Sequence, residues 1–269
     1  MSAKQVALVT GVSSGIGRSV AASLAEHGFS VFGTLRSRAQ EPPEGVTPLY
    51  VDVRDDAAVN AAVAEVMTRA GRIDLLVNNA GVSLGGAIEE TDTAQAQALF
   101  DVNFFGSVRV TRAVLPHMRA QRSGRIVFIS SMLGLVPAPF YGFYAASKHA
   151  LEGYAETLDH ETRALGIRVA LIEPGTIRTT TEKIFTTANA QIADYAEARE
   201  RVWAGAIAQL RAGGDPAVVA IAVLRAATER TPRLRYPVGK GASLLAKLRS
   251  FMPAAVFSRS LRRAFHVDA

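Results

Sequence analysis

The sequence predicts an α/β protein with one doubly wound parallel sheet, a helical substrate lid and a C-terminal extension. Two patterns predict it. Apolar runs of strand length recur along most of the 269 residues, and amphipathic stretches of helical period separate them. The first run also passes through a glycine-rich turn straight into a helix, as a right-handed βαβ unit begins. No linker, repeat or low-complexity stretch divides the chain. Residues 1–239 therefore read as one domain, with the lid at about 176–214, and residues 240–269 as an extension packed on or beside it.

Gln5 to Thr10 is the first strand, and Val20, Ala21, Leu24 and Ala25 then repeat at helical spacing up to Gly28. Ser30 to Leu35 and Leu49 to Val53 read as the second and third strands. Asp55 to Ala70 places Val59, Val63, Val66 and Met67 on one helix face, stopped by Gly71. Leu75 to Asn79 is the fourth strand. Thr93 to Met118 reads as one helix, apolar around most of its circumference, which suggests a subunit interface as well as a core face. Arg125–Ile129 and Arg168–Ile172 are the fifth and sixth strands, with a helix from Tyr144 to about Ala164 between them. Phe185, Ile192, Tyr195, Trp203, Ile207 and Leu210 recur at mostly helical spacing between Pro174 and Asp215, so that stretch reads as helices capping a cleft at the sheet's carboxyl edge. Asp215-Pro216 opens a helix running to about Thr228, and Tyr236–Val238 is a last short strand.

Composition narrows the class. Half the residues are hydrophobic (49%), enough for a sizeable core, yet no run reaches the ~18 apolar residues of a membrane span. Nor does a signal-like segment precede the first strand, so a cytoplasmic protein is expected. There are no cysteines, and the five histidines lack metal-ligand spacing; a metal-free site is expected. The net charge of +6 is a property of the tail. From Pro232 onward eight Lys or Arg face one acid, Asp268, a net of +7 that leaves −1 for residues 1–231. A general nucleic-acid-binding role loses its main support.

Three stretches carry chemistry. Gly11, Gly15 and Gly17, with Ser13, Ser14 and Ile16 between them, sit where strand turns to helix, where free N–H groups and the helix dipole favour a pyrophosphate. At the end of the second strand Leu35 cannot accept ribose hydrogen bonds. Arg36 beside it suits a 2′-phosphate, so NADP(H) is expected over NAD(H), with Arg38 or a motif serine assisting. Tyr144 and Lys148, four apart, share a helix face, and an ammonium beside a phenol of pKa ~10 favours its ionised form.

The chain resembles the short-chain dehydrogenase/reductase family. Thr10-Gly-x-x-x-Gly-x-Gly17, Asn78-Asn-Ala-Gly81, Asn103, Ser131, Tyr144-x-x-x-Lys148 and Pro174-Gly175 fall in the family's order and spacing over roughly the first 180 residues. The resemblance implies a Rossmann fold in which Asp52, with Val53 beside it, meets the adenine. Asn79, Ala80 and Gly81 would line the adenosine side, and Pro174, Gly175, Ile177 and Thr179 the nicotinamide end. Hydride transfer needs a proton donor at the substrate oxygen and a second group to hold that oxygen. Tyr144 would be the donor and Ser131 the holding group. Lys148 would lower the tyrosine's pKa and grip the nicotinamide ribose, while Asn103 would hold a water that resupplies the proton. The family separation of thirteen residues selects Ser131 over Ser130. Tyr141 has Ala145, not lysine, at i+4 and reads as cleft lining, and His149 points about 100° away from Lys148.

Met132, Leu133, Leu135, Val136, Pro137, Phe140, Tyr141 and Phe143 surround the acid, and Phe185, Tyr195 and Trp203 come from the lid. This lining favours an apolar alcohol or ketone over a sugar, with Ser131, Leu133, Tyr141, Tyr144 and Phe185 as the substrate contacts. The leading reading is an NADP(H)-dependent oxidoreductase; the alternative is a non-catalytic NADP(H)-binding sensor or scaffold. A homo-oligomer is expected; the last thirty or so residues depart from the family's commonest C-terminus, which leaves its form, dimer or tetramer, open. In that tail apolar and basic residues interleave around Pro253. It reads either as a peripheral membrane contact or as a segment folded over its own subunit or dimer mate.

Overall fold

A computed structural model describes residues 4–178, 185–239, 241–265 and 267 of the chain. Strands β1 (Val6–Val9), β2 (Ser30–Leu35) and β3 (Val46–Tyr50) are separated by α1 (Gly15–Glu26) and a loop. After α2 (Asp56–Ala70) come β4 (Leu75–Asn78), a short β5 (Ser83–Gly85) and α3 (Thr93–Phe100). A π-helical turn (Asp101–Phe105) leads into α4 (Gly106–Gln121), β6 (Gly124–Ile129), α5 (Gly142–Thr162) and β7 (Ile167–Pro174). The remainder is β8 (Phe185–Thr187), α6 (Ala196–Arg211), α7 (Ala217–Thr228), β9 (Arg235–Val238), α8 (Ala242–Phe251) and α9 (Ala254–Ala264).

Seven strands form one sheet in the order β3-β2-β1-β4-β6-β7-β9, every neighbouring pair parallel. Alternation along the strands divides the core. Ala7, Val9, Val77, Val127, Ile129 and Ala170 face α1 and α7, meeting Val20, Leu24, Val219 and Val223. Leu8, Leu76, Ile126, Phe128 and Leu171 face α2, α4 and α5, meeting Val63, Val66, Val114, Leu151 and Leu158. A strand buried on both faces reads as a continuous apolar run, which is why these strands are legible. The strand order reverses at β1 and β4, and a crevice opens there at the carboxyl ends.

Helix α2 has the predicted ends: Asp55 Oδ1 accepts from the N–H of Ala57 and Ala58 at 2.9 and 3.0 Å, and Gly71 terminates it at φ 70°. Three expectations shift. The third strand lies at Val46–Tyr50 rather than Leu49–Val53, because Pro48, tolerated on an edge strand, conceals its start. The helix expected over Thr93–Met118 runs on to Gln121 and carries a π-helical turn within it at Asp101–Phe105. The lid is not helical throughout. Its residues 185–187 form β8, which pairs with β5, and only from Ala196 does the long helix α6 begin. Among the described residues no helix is long and apolar enough to cross a membrane.

Candidate active site

The turn after β1 is built to bring backbone close to a ligand. Gly11 and Gly15 have φ of 73° and 56°, and a Cβ on Gly17 would lie 2.2 Å from the Gly11 carbonyl oxygen. Ser14 precedes α1 but makes no side-chain cap, and no acid occupies the first helical turn. The helix thus presents unsatisfied N–H groups at its mouth, as an anionic pyrophosphate requires. The turn is held from behind. Asn79 Nδ2 donates to the carbonyls of Thr10 and Gly11 at 2.9 and 3.0 Å, Thr10 Oγ1 accepts from the N–H of Asn79 and Ala80, and Thr34 Oγ1 accepts from Gly11 N. Asn79 therefore shapes the turn with its side chain and leaves backbone to line the crevice.

The adenosine end is less uniform. Arg36 is exposed, and its charge helps hold the Asp52 carboxyl below the usual range, although the larger cause is the hydrogen bond from Arg54. Arg54 Nη2 lies 2.6 Å from Asp52 Oδ2, so the Asp52 side chain is engaged within its own turn. Arg38 stacks on Tyr50 at 4.5 Å. Val53 is buried and packs against Gly106, where a Cβ would come within 2.7 Å of it; only its backbone is open to a ligand. At the other end Pro174 closes β7, Gly175 N donates to Val238 O at 2.8 Å, and Ile177 turns its side chain into the core. Thr179 lies outside the described residues.

The residues expected to be catalytic come together from three elements. Ser131 follows β6, and its Oγ accepts from Leu133 N at 3.1 Å; the same hydroxyl acts on the Tyr144 phenol of α5, pulling it down. Lys148, one turn along α5, is 5% exposed; its Nζ donates to Ile129 O at 2.9 Å and lies 5.8 Å from the Tyr144 ring centre. Asn103 sits in the π-turn with every side-chain proton committed. Nδ2 donates to Val82 O (2.9 Å) and Ser147 Oγ (3.2 Å), and Oδ1 accepts from Val82 N (2.8 Å). A Cβ on Gly81 would lie 3.3 Å from Asn103 Oδ1 and 3.8 Å from Lys148 Nζ, so the missing side chain leaves both atoms facing one space. Tyr141 adjoins Tyr144 and is raised by burial. His149, exposed, places its ring Nδ1 2.9 Å from Ala145 O.

Electrostatics correct one expectation. The Tyr144 phenol is raised rather than lowered in the ligand-free protein: its burial outweighs the lowering influence of Ser131. Burial also brings Lys148 down to about 8, against the pull of Glu152, one turn further along α5. Glu152 belongs to a cluster that sequence reasoning missed. Arg235 on β9 binds Glu152 and Glu156 at 2.6 Å each and also Glu173, two of the three carboxylates being buried. Burial pushes Glu173 up to about 7 and raises Glu152 as well. The i+4 spacing of Glu152 from Lys148 was a visible signal; the pairing with Arg235, distant in sequence, was not.

The lid is bolted to the segment that follows β4. Glu90 accepts from Ala87 N (2.9 Å), Ile192 N (2.8 Å) and the buried Arg199. Burial pushes that carboxyl up, but these donors outweigh it and hold it below the usual range. Tyr195 Oη donates to Glu89, and Asn189 Nδ2 donates to Asp92 at 2.7 Å. Phe140, at a left-handed φ of 62°, meets Tyr195 edge-on, joining the segment before α5 to the lid. Leu133 is half-buried in the single turn after Ser131, whereas Met132 and Val136 are core. Phe143 lines a groove with Ala96, Phe100, Phe105 and Arg109. The Phe185 side chain lies outside what the structure describes.

Known proteins resemble this chain in sequence and fold. A sequence model of the short chain dehydrogenase family matches residues 5–190. A 3-ketodihydrosphingosine reductase from Bacteroides thetaiotaomicron is 36% identical over 261 residues, 96% of this chain and 97% of its own. A crystal structure of a short-chain dehydrogenase from Streptomyces avermitilis superposes with a TM-score of 0.85 at 32% identity, over 100% of both chains. Two further structures are similar at 28% identity each. ElxO with NADP bound has a TM-score of 0.73 over 86% of this chain and 94% of its own. A Burkholderia phymatum protein in complex with NAD has 0.77 over 92% of both.

Proposed function

Because the chain belongs to the short chain dehydrogenase family of oxidoreductases, we propose that it transfers a hydride between NADP(H) and an apolar alcohol or ketone, with Tyr144 as general acid/base. The observation that carries this is the buried Lys148, whose Nζ lies 5.8 Å from the Tyr144 ring centre, with Ser131 acting on the same phenol. The glycine turn, the uncapped α1 and the backbone of Asn79 to Gly81 would hold the dinucleotide, and Arg36 its 2′-phosphate. When bound, the nicotinamide supplies or accepts the hydride.

The chain's own residues manage the oxygen. In the direction of reduction, Tyr144 donates its phenolic proton to the carbonyl oxygen, which Ser131 Oγ holds in place by a second hydrogen bond. Burial keeps the phenol in its protonated form, the form from which it can donate. Lys148 then stabilises the phenolate, and the space shared by its Nζ and Asn103 Oδ1 suits the water that resupplies the proton. An apolar ketone fits the Leu133, Phe140 and Tyr141 surround, and a relative named 3-ketodihydrosphingosine reductase is consistent with one carrying a long chain. Phe105, 48% exposed beside the groove with Phe100 and Phe143, suits a subunit contact in a cytoplasmic homo-oligomer.

The test is NADPH oxidation with a panel of long-chain and cyclic ketones, comparing wild type with Tyr144→Phe. Loss of ~10²–10⁴-fold in kcat at unchanged NADPH affinity is expected. Equal turnover by the variant would sink the mechanism. A wild type that bound NADPH and oxidised it with no ketone would instead fit a sensor.

A further inference from the structure

The C-terminal helices carry an apolar stripe turned the wrong way for a core. Leu244, Leu248 and Phe251 recur at i, i+4 and i+7, one face of α8, and are 62%, 37% and 87% exposed. Val256, just past Pro253, is 51% exposed. Helix α9 is secured differently: Phe257 is buried, and Arg249 stacks on its ring at 5.4 Å. Arg249, Arg259, Arg262 and Arg263 are all exposed. Between residues 230 and 267 the sequence has nine Lys or Arg and no Asp or Glu.

We propose that α8 and α9 dock on an anionic lipid surface, the Leu244–Leu248–Phe251 stripe entering the interface while the arginines meet lipid phosphates. Charge selects this occupant over a second copy of the chain. A two-fold contact that paired tail with tail would set one acid-free basic segment against another, with no carboxylate from either to pair it. An anionic bilayer supplies both the apolar depth and the counter-charge. The tail also begins beside the cleft. Gly175 N donates to Val238 O, and a Cβ on Gly239 would lie 3.8 Å from Gly175 N, so α8 starts beside Gly175, next to the carboxyl end of β7. Docking there would present the cleft to lipid-borne ketones; that consequence rests on the proposed function, whereas docking itself does not.

The experiment is flotation of the full chain with vesicles of phosphatidylcholine alone and of phosphatidylcholine with phosphatidylglycerol. Two variants are included, Leu244→Ser/Leu248→Ser/Phe251→Ser and Arg259→Gln/Arg263→Gln, with NADPH binding as the control for folding and light scattering for assembly. Wild type should float with anionic vesicles only, and each variant should lose about tenfold or more in partitioning at unchanged NADPH affinity. Equal flotation with neutral vesicles, or variants that float like wild type, would overturn the proposal. So would a stripe variant that breaks the protein into smaller species, since a second copy would then cover the stripe.

Discussion

Lys148→Met should stabilise the ligand-free protein while removing its activity. Burial lowers the Lys148 amine from 10.5 to about 8, and at ~1.4 kcal/mol per decade the charged form therefore costs ~3 kcal/mol at pH 7. Met fills a similar volume without charge. The variant forfeits the 2.9 Å bond to Ile129 O, about 2 kcal/mol for a charged donor, which leaves ~1 kcal/mol of net gain. A chain of this size would melt ~2–4 °C higher. The sharper signature is in pH. A base depressed in the fold binds fewer protons than in the unfolded chain between pH 8 and 10.5, so wild-type stability rises through that window. Below pH 8 the penalty is fully present. By about pH 10 wild type should recover ~2–3 kcal/mol relative to the variant, reversing the order. Paired denaturant melts at pH 7 and 10 measure this. A variant less stable than wild type at pH 7, or a difference that does not move with pH, would refute the reasoning.

Arg36→Ala should weaken NADP(H) binding by about tenfold or more and NAD(H) little, measured by fluorescence titration of both; equal losses would remove the phosphate role. Arg199→Met leaves Glu90 buried without its cation and should cost ~3–5 kcal/mol, seen as a lower melting point and faster proteolysis of the lid. Glu90→Gln in the same chain should restore part of that loss, and strictly additive effects would show the two side chains to be uncoupled.

The inner strands of the sheet were legible because they are buried on both faces. Ser30 to Leu35 reads as an apolar run and is β2 with the same bounds. Val46–Tyr50 was misplaced because an edge strand can carry Pro48, and the π-turn at Asp101–Phe105 was hidden because the apolar pattern continues through it. β8 was unreadable because its pairing with β5 depends on a partner about 100 residues away. Within the site, motif spacing brought Ser131, Tyr144 and Lys148 forward, but the engagement of Asn103 with Val82 and Ser147 left no mark in the sequence.

By itself the sequence determined which groups stand near one another along a single element: glycines at a helix mouth, and a phenol and an amine one turn apart. Helix and strand periods make such neighbours predictable from spacing alone. What the tertiary structure decided is their environment. Desolvation raises Tyr144, and Glu152, Glu173 and Arg235 gather behind Lys148 from three separate elements. Burial and through-space charge depend on which elements pack together, and spacing along one of them does not encode that.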